Sequence, residues 1–73
     1  DLDVLDPSVF PGTGTPEPGG VDFKTLLDCI LKMSELNIVG ADINELSPHY
    51  DPSGSSTAVA IKTLRELLLV MHK

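Results

Sequence analysis

Basic residues are scarce in this chain: five lysines and arginines stand against eleven aspartates and glutamates, for a net charge of −6 at pH 7. That balance argues against nucleic-acid and anionic-membrane partners, which both need a basic face. It suits a cation site or simple solubility. Cysteine occurs once, at Cys29, so no internal disulfide can form and a reducing cytoplasm is the expected compartment. Histidine occurs twice, at His49 and His72, with no partner at zinc-ligand spacing. No apolar run reaches the roughly 20 residues of a membrane span, and no charged-then-apolar signal segment opens the chain.

Two nucleotide motifs are absent as well. Gly12-Thr13-Gly14 starts like a dinucleotide fingerprint, but Pro16 and Glu17 occupy the stretch where a third glycine would fall. No Gly-Lys-Ser/Thr follows, so there is no P-loop. A calcium loop starting at Asp1 fails too, because Leu5 and Gly12 stand where liganding acids are needed. A chain this short buries only about 60% of its unfolded surface, yet 41% of it is hydrophobic. The mismatch predicts a piece of a larger domain, with residues before Asp1 missing.

What is present reads as strand, loop, helix, strand, loop, helix. Residues 1–5 alternate acid and apolar as a strand does, and Pro7 stops it. Residues 6–20 hold four prolines and four glycines, a density that excludes helix and ladder and predicts an ordered loop. Residues 22–35 predict a helix. Asp22 is its N-cap, Val21 and Leu26 are its hydrophobic staple, and Phe23, Leu26, Leu27, Ile30 and Leu31 follow the 3.6 period. Asp28 and Lys32 are placed to pair on its outer face, and Cys29 reads as an unreactive packing residue.

Residues 38–46 read as a short buried strand, with Gly40 and Ala41 admitting a close helix. Residues 47–54 form a second proline-bearing loop, where Asp51-Pro52 reads as N-cap and first helical residue. The last helix runs from about Pro52 or Ser55 to Met71, with Ala58, Val59, Ile61, Leu64, Leu67, Leu68 and Met71 as core candidates. A strand–helix–strand crossover of this length predicts a parallel, right-handed pair covered on both faces. Ligands of such sheets sit beyond the carboxyl ends of the strands, which gathers Asp1, Asp3 and Glu45 along one rim. Asp1 and Asp3 would share a strand face, an arrangement that is costly without a cation between them. A divalent metal is the natural partner of such hard oxygen donors.

Asp1-Leu2-Asp3-Val4-Leu5-Asp6-Pro7, followed by Pro11-Gly12 and Gly20, resembles the third signature of the ureohydrolases, the family of arginase and agmatinase. Gly14-Thr15-Pro16-Glu17-Pro18-Gly19-Gly20 and Val39-Gly40-Ala41-Asp42-Ile43-Asn44-Glu45-Leu46-Ser47-Pro48 extend the match in order and spacing. It covers essentially residues 1–73, and Glu17-Pro18 is similar to the agmatinase branch. The resemblance implies the C-terminal portion of a single three-layer α/β/α domain with a parallel sheet. It implies hydrolysis of a guanidino compound, agmatine-like, to urea and an amine by hydroxide that a binuclear Mn2+ centre activates. It assigns Asp1 as a carboxylate bridging both metals, Asp3 as a terminal metal ligand, Glu45 as the anchor of the substrate guanidinium and Thr15 as a hydroxyl near the substrate. The complete enzyme would be a homo-oligomer.

The family's remaining metal ligands, two histidines and two aspartates on Gly-Gly-Asp-His and Asp-Ala-His-x-Asp elements, are not in this sequence. His49 and His72 do not replace them. The chain alone is therefore expected to be inactive. The alternatives are a non-catalytic acidic binding fragment and a truncated relic with weak affinity for divalent cations. Asp6 reads as a turn-stabilising hydrogen bonder, Asp42 as structural, and His49 and Tyr50 as candidates for the pocket mouth.

Overall fold

The computed structural model describes residues 1–72. Helix α1 spans Phe23–Lys32 and helix α2 spans Ser55–Met71. Single 3-10 turns lie at Leu2–Val4, Met33–Glu35 and Pro48–Tyr50. The two helices pack against each other. Beside them the proline-rich loop folds back onto the N-terminal turn.

Helix α1 forms where its sequence signals lie. The Asp22 side chain accepts a hydrogen bond from Thr25 N at 2.8 Å, which satisfies one of the donors left free in a first turn. Val21 and Leu26 both pack on the core, as a hydrophobic staple requires. The outer-face ion pair is Lys24 with Asp28 at 3.1 Å, one turn earlier than the expected Asp28–Lys32. Cys29 is exposed rather than packed, because position 29 falls on the solvent side of the stripe that ends in buried Ile30.

The expected strands are not formed among the described residues. Residues 2–4 curl into a 3-10 turn, and Leu5 makes a single parallel bridge to Val21. The bridge rests on two backbone bonds, Val21 N to Val4 O at 3.0 Å and Asp6 N to Val21 O at 2.9 Å. Residues 38–46 run without regular structure. Val39 is 89% exposed, and Gly40 has no neighbour within 4 Å of its Cβ position. A strand exists only through its ladder, and this stretch forms none with the described residues. Its contact with the N-terminal turn is Leu2 N donating to Asn44 O at 3.1 Å.

Leu2, Leu5, Phe10 and Ala60 form the buried cluster, with Val9, Val21, Leu26, Ile43, Leu46 and Val59 packed around it. Helix α2 meets the expected facing only in part: Val59 packs on the core and Leu67 and Met71 are half-buried, whereas Ala58, Ile61, Leu64 and Leu68 are exposed. Its buried residues are Ser56, Ala60, Thr63 and Val70, a stripe of mostly small side chains that lets the helix approach the loop closely. Ile61, Leu64, Leu68 and Leu69 face outward. Thr63 is tolerated inside because its hydroxyl bonds back to Val59 O at 2.8 Å.

One close approach fixes the loop. A Cβ on Gly20 would lie 2.6 Å from Asp6 N and 2.7 Å from Val4 O, both backbone atoms that already make the Leu5–Val21 bridge. Gly20→Ala is therefore expected to destabilise the chain by about 3 kcal/mol, the upper range for overpacking. Thermal unfolding followed by circular dichroism measures this. An unchanged midpoint would show that the bridge can shift freely.

Candidate functional site

Three acidic or hydroxyl side chains meet where the N-terminal turn, the proline-rich loop and the 38–46 stretch converge. Thr15 Oγ1 lies 2.8 Å from Asp3 Oδ2 and 3.5 Å from Glu45 Oε2. A hydroxyl has one proton to give, and the shorter contact takes it. The Thr15 hydroxyl thus sits between two carboxylates and donates to Asp3. Asp1 caps the first turn without a side-chain hydrogen bond and is exposed. Asp1 and Asp3 do not share a strand face, because Leu2–Val4 form a 3-10 turn, and at three residues per turn positions two apart point in different directions. None of the ion pairs among the described residues involves Asp1, Asp3 or Glu45. The group therefore presents negative charge without a built-in counterion.

Glu45 is held in an unusual backbone conformation. Its φ is +78°, the only positive φ at a non-glycine among the described residues, and such strain costs about 1–3 kcal/mol. Bonds on either side hold it. Asn44 O accepts from Leu2 N at 3.1 Å, and Ser47 N donates to Gly12 O at 2.7 Å. The first bond ties the segment to the turn that carries Asp3, and the second ties it to the loop that carries Thr15.

Two further aspartates are structural staples. Asp6 accepts from Ser8 N at 3.0 Å, from the Ser8 hydroxyl, and from Gly19 N at 2.9 Å and Gly20 N at 3.3 Å. One carboxylate thereby closes both ends of the proline-rich loop. Asp51 accepts from Ser53 N at 3.1 Å, the Ser53 hydroxyl, Ser56 N at 2.8 Å and Ser56 Oγ at 2.6 Å. It caps α2 from before the turn that starts the helix, and Gly54 rather than Asp51 occupies the N-cap position. Asp51-Pro52 as N-cap and first helical residue is corrected accordingly.

The Ser8 hydroxyl, then the Ser8 and Gly19 amides, hold Asp6 down at about 2. The Ser53 and Ser56 hydroxyls, then the Ser56 amide, hold Asp51 at about 2. Both lie below the value of about 3.9 for an unfolded aspartate. The stabilisation is therefore fully present above about pH 4 and is lost as pH falls toward 2. The unfolding temperature should drop across that window, and Asp51→Asn should flatten its share of the drop. A melting temperature independent of pH between 4 and 2 would contradict this.

A divalent metal needs several hard oxygen donors. Asp1 and Asp3 offer hard oxygens of the right kind. In number they fall short, since no group of three or more His, Cys, Asp or Glu side chains is arranged to hold an ion among the described residues. His49 and Tyr50 sit on the Pro48–Tyr50 turn with ring centroids 4.0 Å apart. The Tyr50 ring faces the loop at Gly14, where an added Cβ would lie 3.8 Å from it. An open apolar cavity of about 290 Å³ lies elsewhere, between Phe23, Ser55, Ala58, Val59 and Lys62.

Ser56 is the residue that sequence reasoning missed. It is fully buried and its hydroxyl accepts from Gly12 N at 2.8 Å across 44 positions of sequence. Only the run Asp51-Pro52-Ser53-Gly54-Ser55-Ser56 hinted at capping, and nothing local pointed to Gly12. No helix of the described residues is long and apolar enough to cross a membrane.

Comparison with known proteins gives this geometry a context. The profile described as the arginase family matches residues 1–70. An agmatinase from Halalkalibacterium halodurans is 49% identical over 71 residues, covering 94% of this chain and 25% of the relative. The mitochondrial guanidino acid hydrolase of Homo sapiens is 42% identical over 73 residues, covering 100% of this chain and 21% of the relative. Among solved structures, proclavaminate amidino hydrolase from Streptomyces clavuligerus superposes with a TM-score of 0.93 at 41% identity, over 97% of this chain and 24% of that one. The chain spans about a quarter of the length of the relatives it matches.

Proposed function

The chain belongs to the arginase family, and on that premise we propose that it forms the C-terminal part of a ureohydrolase that releases urea and an amine from a guanidino compound. The observation that carries this reading is the Thr15 hydroxyl set between Asp3 and Glu45. It brings a candidate metal-facing carboxylate and a candidate substrate-facing carboxylate to one place.

Each residue has a role that its chemistry suits. Glu45 accepts paired hydrogen bonds from the planar guanidinium and cancels its charge. That grip fixes the guanidinium carbon for attack, which is where orientation lowers the barrier. Thr15, donating to Asp3, keeps the two carboxylates at a set separation and presents its oxygen to the substrate. Asp1 and Asp3 would contribute oxygen ligands to a binuclear manganese centre, which histidines and aspartates from further chain would have to complete. Manganese, when bound, supplies Lewis acidity toward water at neutral pH. In the net reaction a water oxygen joins the guanidinium carbon, the carbon–nitrogen bond to the rest of the substrate breaks, and the leaving nitrogen takes both water protons, so that urea and an ammonium are formed.

An agmatine-like substrate is the reading favoured by Glu17-Pro18 and by the agmatinase relative. In the complete domain, residues 1–5 and 38–46 would join a parallel sheet in a three-layer α/β/α arrangement. We place the enzyme in the cytoplasm, on the single cysteine, as a homo-oligomer.

The test is a chimera. These 73 residues replace the matching segment of the Halalkalibacterium halodurans agmatinase, and urea release from agmatine is measured with manganese. The chimera should turn over. The isolated chain should release no urea and should show no tight two-metal binding by calorimetry. A folded, manganese-loaded chimera that hydrolyses neither agmatine nor a guanidino acid would sink the proposal.

A further inference from the structure

The buried pair Asp51 and Ser56 lies outside the site, yet hydrogen bonds join it to the backbone at Gly12 and, through Gly12, to Ser47, on the two segments that carry Thr15 and Glu45. Asp51 Oδ2 accepts from Ser56 Oγ at 2.6 Å, and Ser56 Oγ accepts from Gly12 N at 2.8 Å. Gly12 O in turn accepts from Ser47 N at 2.7 Å. One peptide segment at Gly12 is therefore clamped from two directions. Three residues after Gly12 comes Thr15, and two residues before Ser47 comes Glu45.

The clamp has no slack. Ser56 is fully buried and Asp51 is 8% exposed. A Cβ on Gly12 would lie 2.6 Å from Ser56 Cβ and 3.2 Å from Asp51 Cβ, so the backbone touches the helix directly. Asp51 is itself held by four donors from Ser53 and Ser56, which leaves its Oδ2 little freedom to move. Glu45, strained at φ +78°, would relax without the Ser47–Gly12 bond on its C-terminal side.

We propose that Asp51 and Ser56 are positioning residues that hold Glu45 and Thr15 in register through Gly12. Resting on the guanidinium-anchor reading of Glu45, the pair sets substrate affinity from the start of α2 without touching substrate. Loss of the clamp loosens the grip on the guanidinium in ground state and transition state alike, and such a loss raises KM with kcat little changed.

The experiment uses the full-length chimera with Ser56→Ala and Asp51→Asn. Asn keeps an oxygen that can accept from Ser56, so the effects should be graded. Ser56→Ala should raise KM for agmatine by about tenfold, the equivalent of one hydrogen bond, and Asp51→Asn by about twofold to threefold. In both, kcat and manganese content should stay within about twofold of the unsubstituted chimera. Unchanged KM in both variants, with only kcat or yield reduced, would mean a purely structural role and overturn the proposal. Should Ser56→Ala fail to fold, an unchanged KM in Asp51→Asn does the same. Amide hydrogen exchange gives a readout that needs no turnover. Exchange should quicken at Gly12 and at residues 44–47 while Leu26–Ile30 of α1 keep their protection. Uniform quickening across the chain would overturn the clamp even if the chimera releases no urea.

Discussion

Phe10→Ala is expected to cost this chain much of its folding stability. Phe10 is fully buried at the centre of the cluster formed with Leu2, Leu5 and Ala60. Removing a buried aromatic ring costs about 3–5 kcal/mol in lost transfer energy and residual cavity. A chain of this length has a total stability of about 4–11 kcal/mol, so the loss takes much of it. The cavity cannot readily collapse. The backbone around Phe10 is tied by Phe10 N and Val9 N, which both donate to Asp6 O at 3.0 and 2.9 Å, and Asp6 is itself bound to Gly19 and Gly20. Urea denaturation followed by far-ultraviolet circular dichroism should show a broad, early transition. A sharp transition with an unchanged midpoint would show that the cluster is not the core. Leu36→Ala is the control, because Leu36 is 60% exposed.

The second large effect concerns chemistry. Asp3→Ala in the chimera should lower urea release by at least about two orders of magnitude, as removal of a group that holds or orients a metal ligand does. Asp3 has two tasks in the proposed site. It offers a hard oxygen to the metal, and through Oδ2 it accepts the only proton of the Thr15 hydroxyl. Thr15→Val separates the two. It removes the hydroxyl and leaves the carboxylate, so manganese content should hold while KM rises. Atomic absorption of the dialysed variants distinguishes them, with manganese reduced in Asp3→Ala and retained in Thr15→Val. Full manganese and full turnover in Asp3→Ala would remove Asp3 from the site.

Of the residues singled out for the site, Asp3, Thr15 and Glu45 meet and Asp1 does not join them by a side-chain hydrogen bond. Asp3, Thr15 and Glu45 come from segments 12 and 30 positions apart, yet each stands in a distinctive run of sequence and the structure brings all three together. Helix α1 was legible for a different reason. Its cap and staple are local, so the sequence around Asp22 suffices to specify them, whereas Leu31 of the expected stripe is 47% exposed. The face of α2 was legible from hydrophobicity only in part, at Val59, Leu67 and Met71. Ile61, Leu64 and Leu68 are more apolar than Ser56 and Thr63, but packing against the loop at Gly12 selects small side chains. The two strands failed for a third reason. Alternation of side chains describes a conformation that could pair, and pairing needs a neighbour.

The sequence by itself determined the helices, the rigid proline-rich loop, the acidic character and the family, since each rests on residue types at short spacing. Only the tertiary structure decided how the chemistry is held. The Asp51–Ser56–Gly12 clamp, and the Leu2–Asn44 and Ser47–Gly12 bonds on either side of left-handed Glu45, are hydrogen bonds between distant segments. No local pattern encodes their geometry, because a buried donor is satisfied by whichever acceptor the fold brings to it.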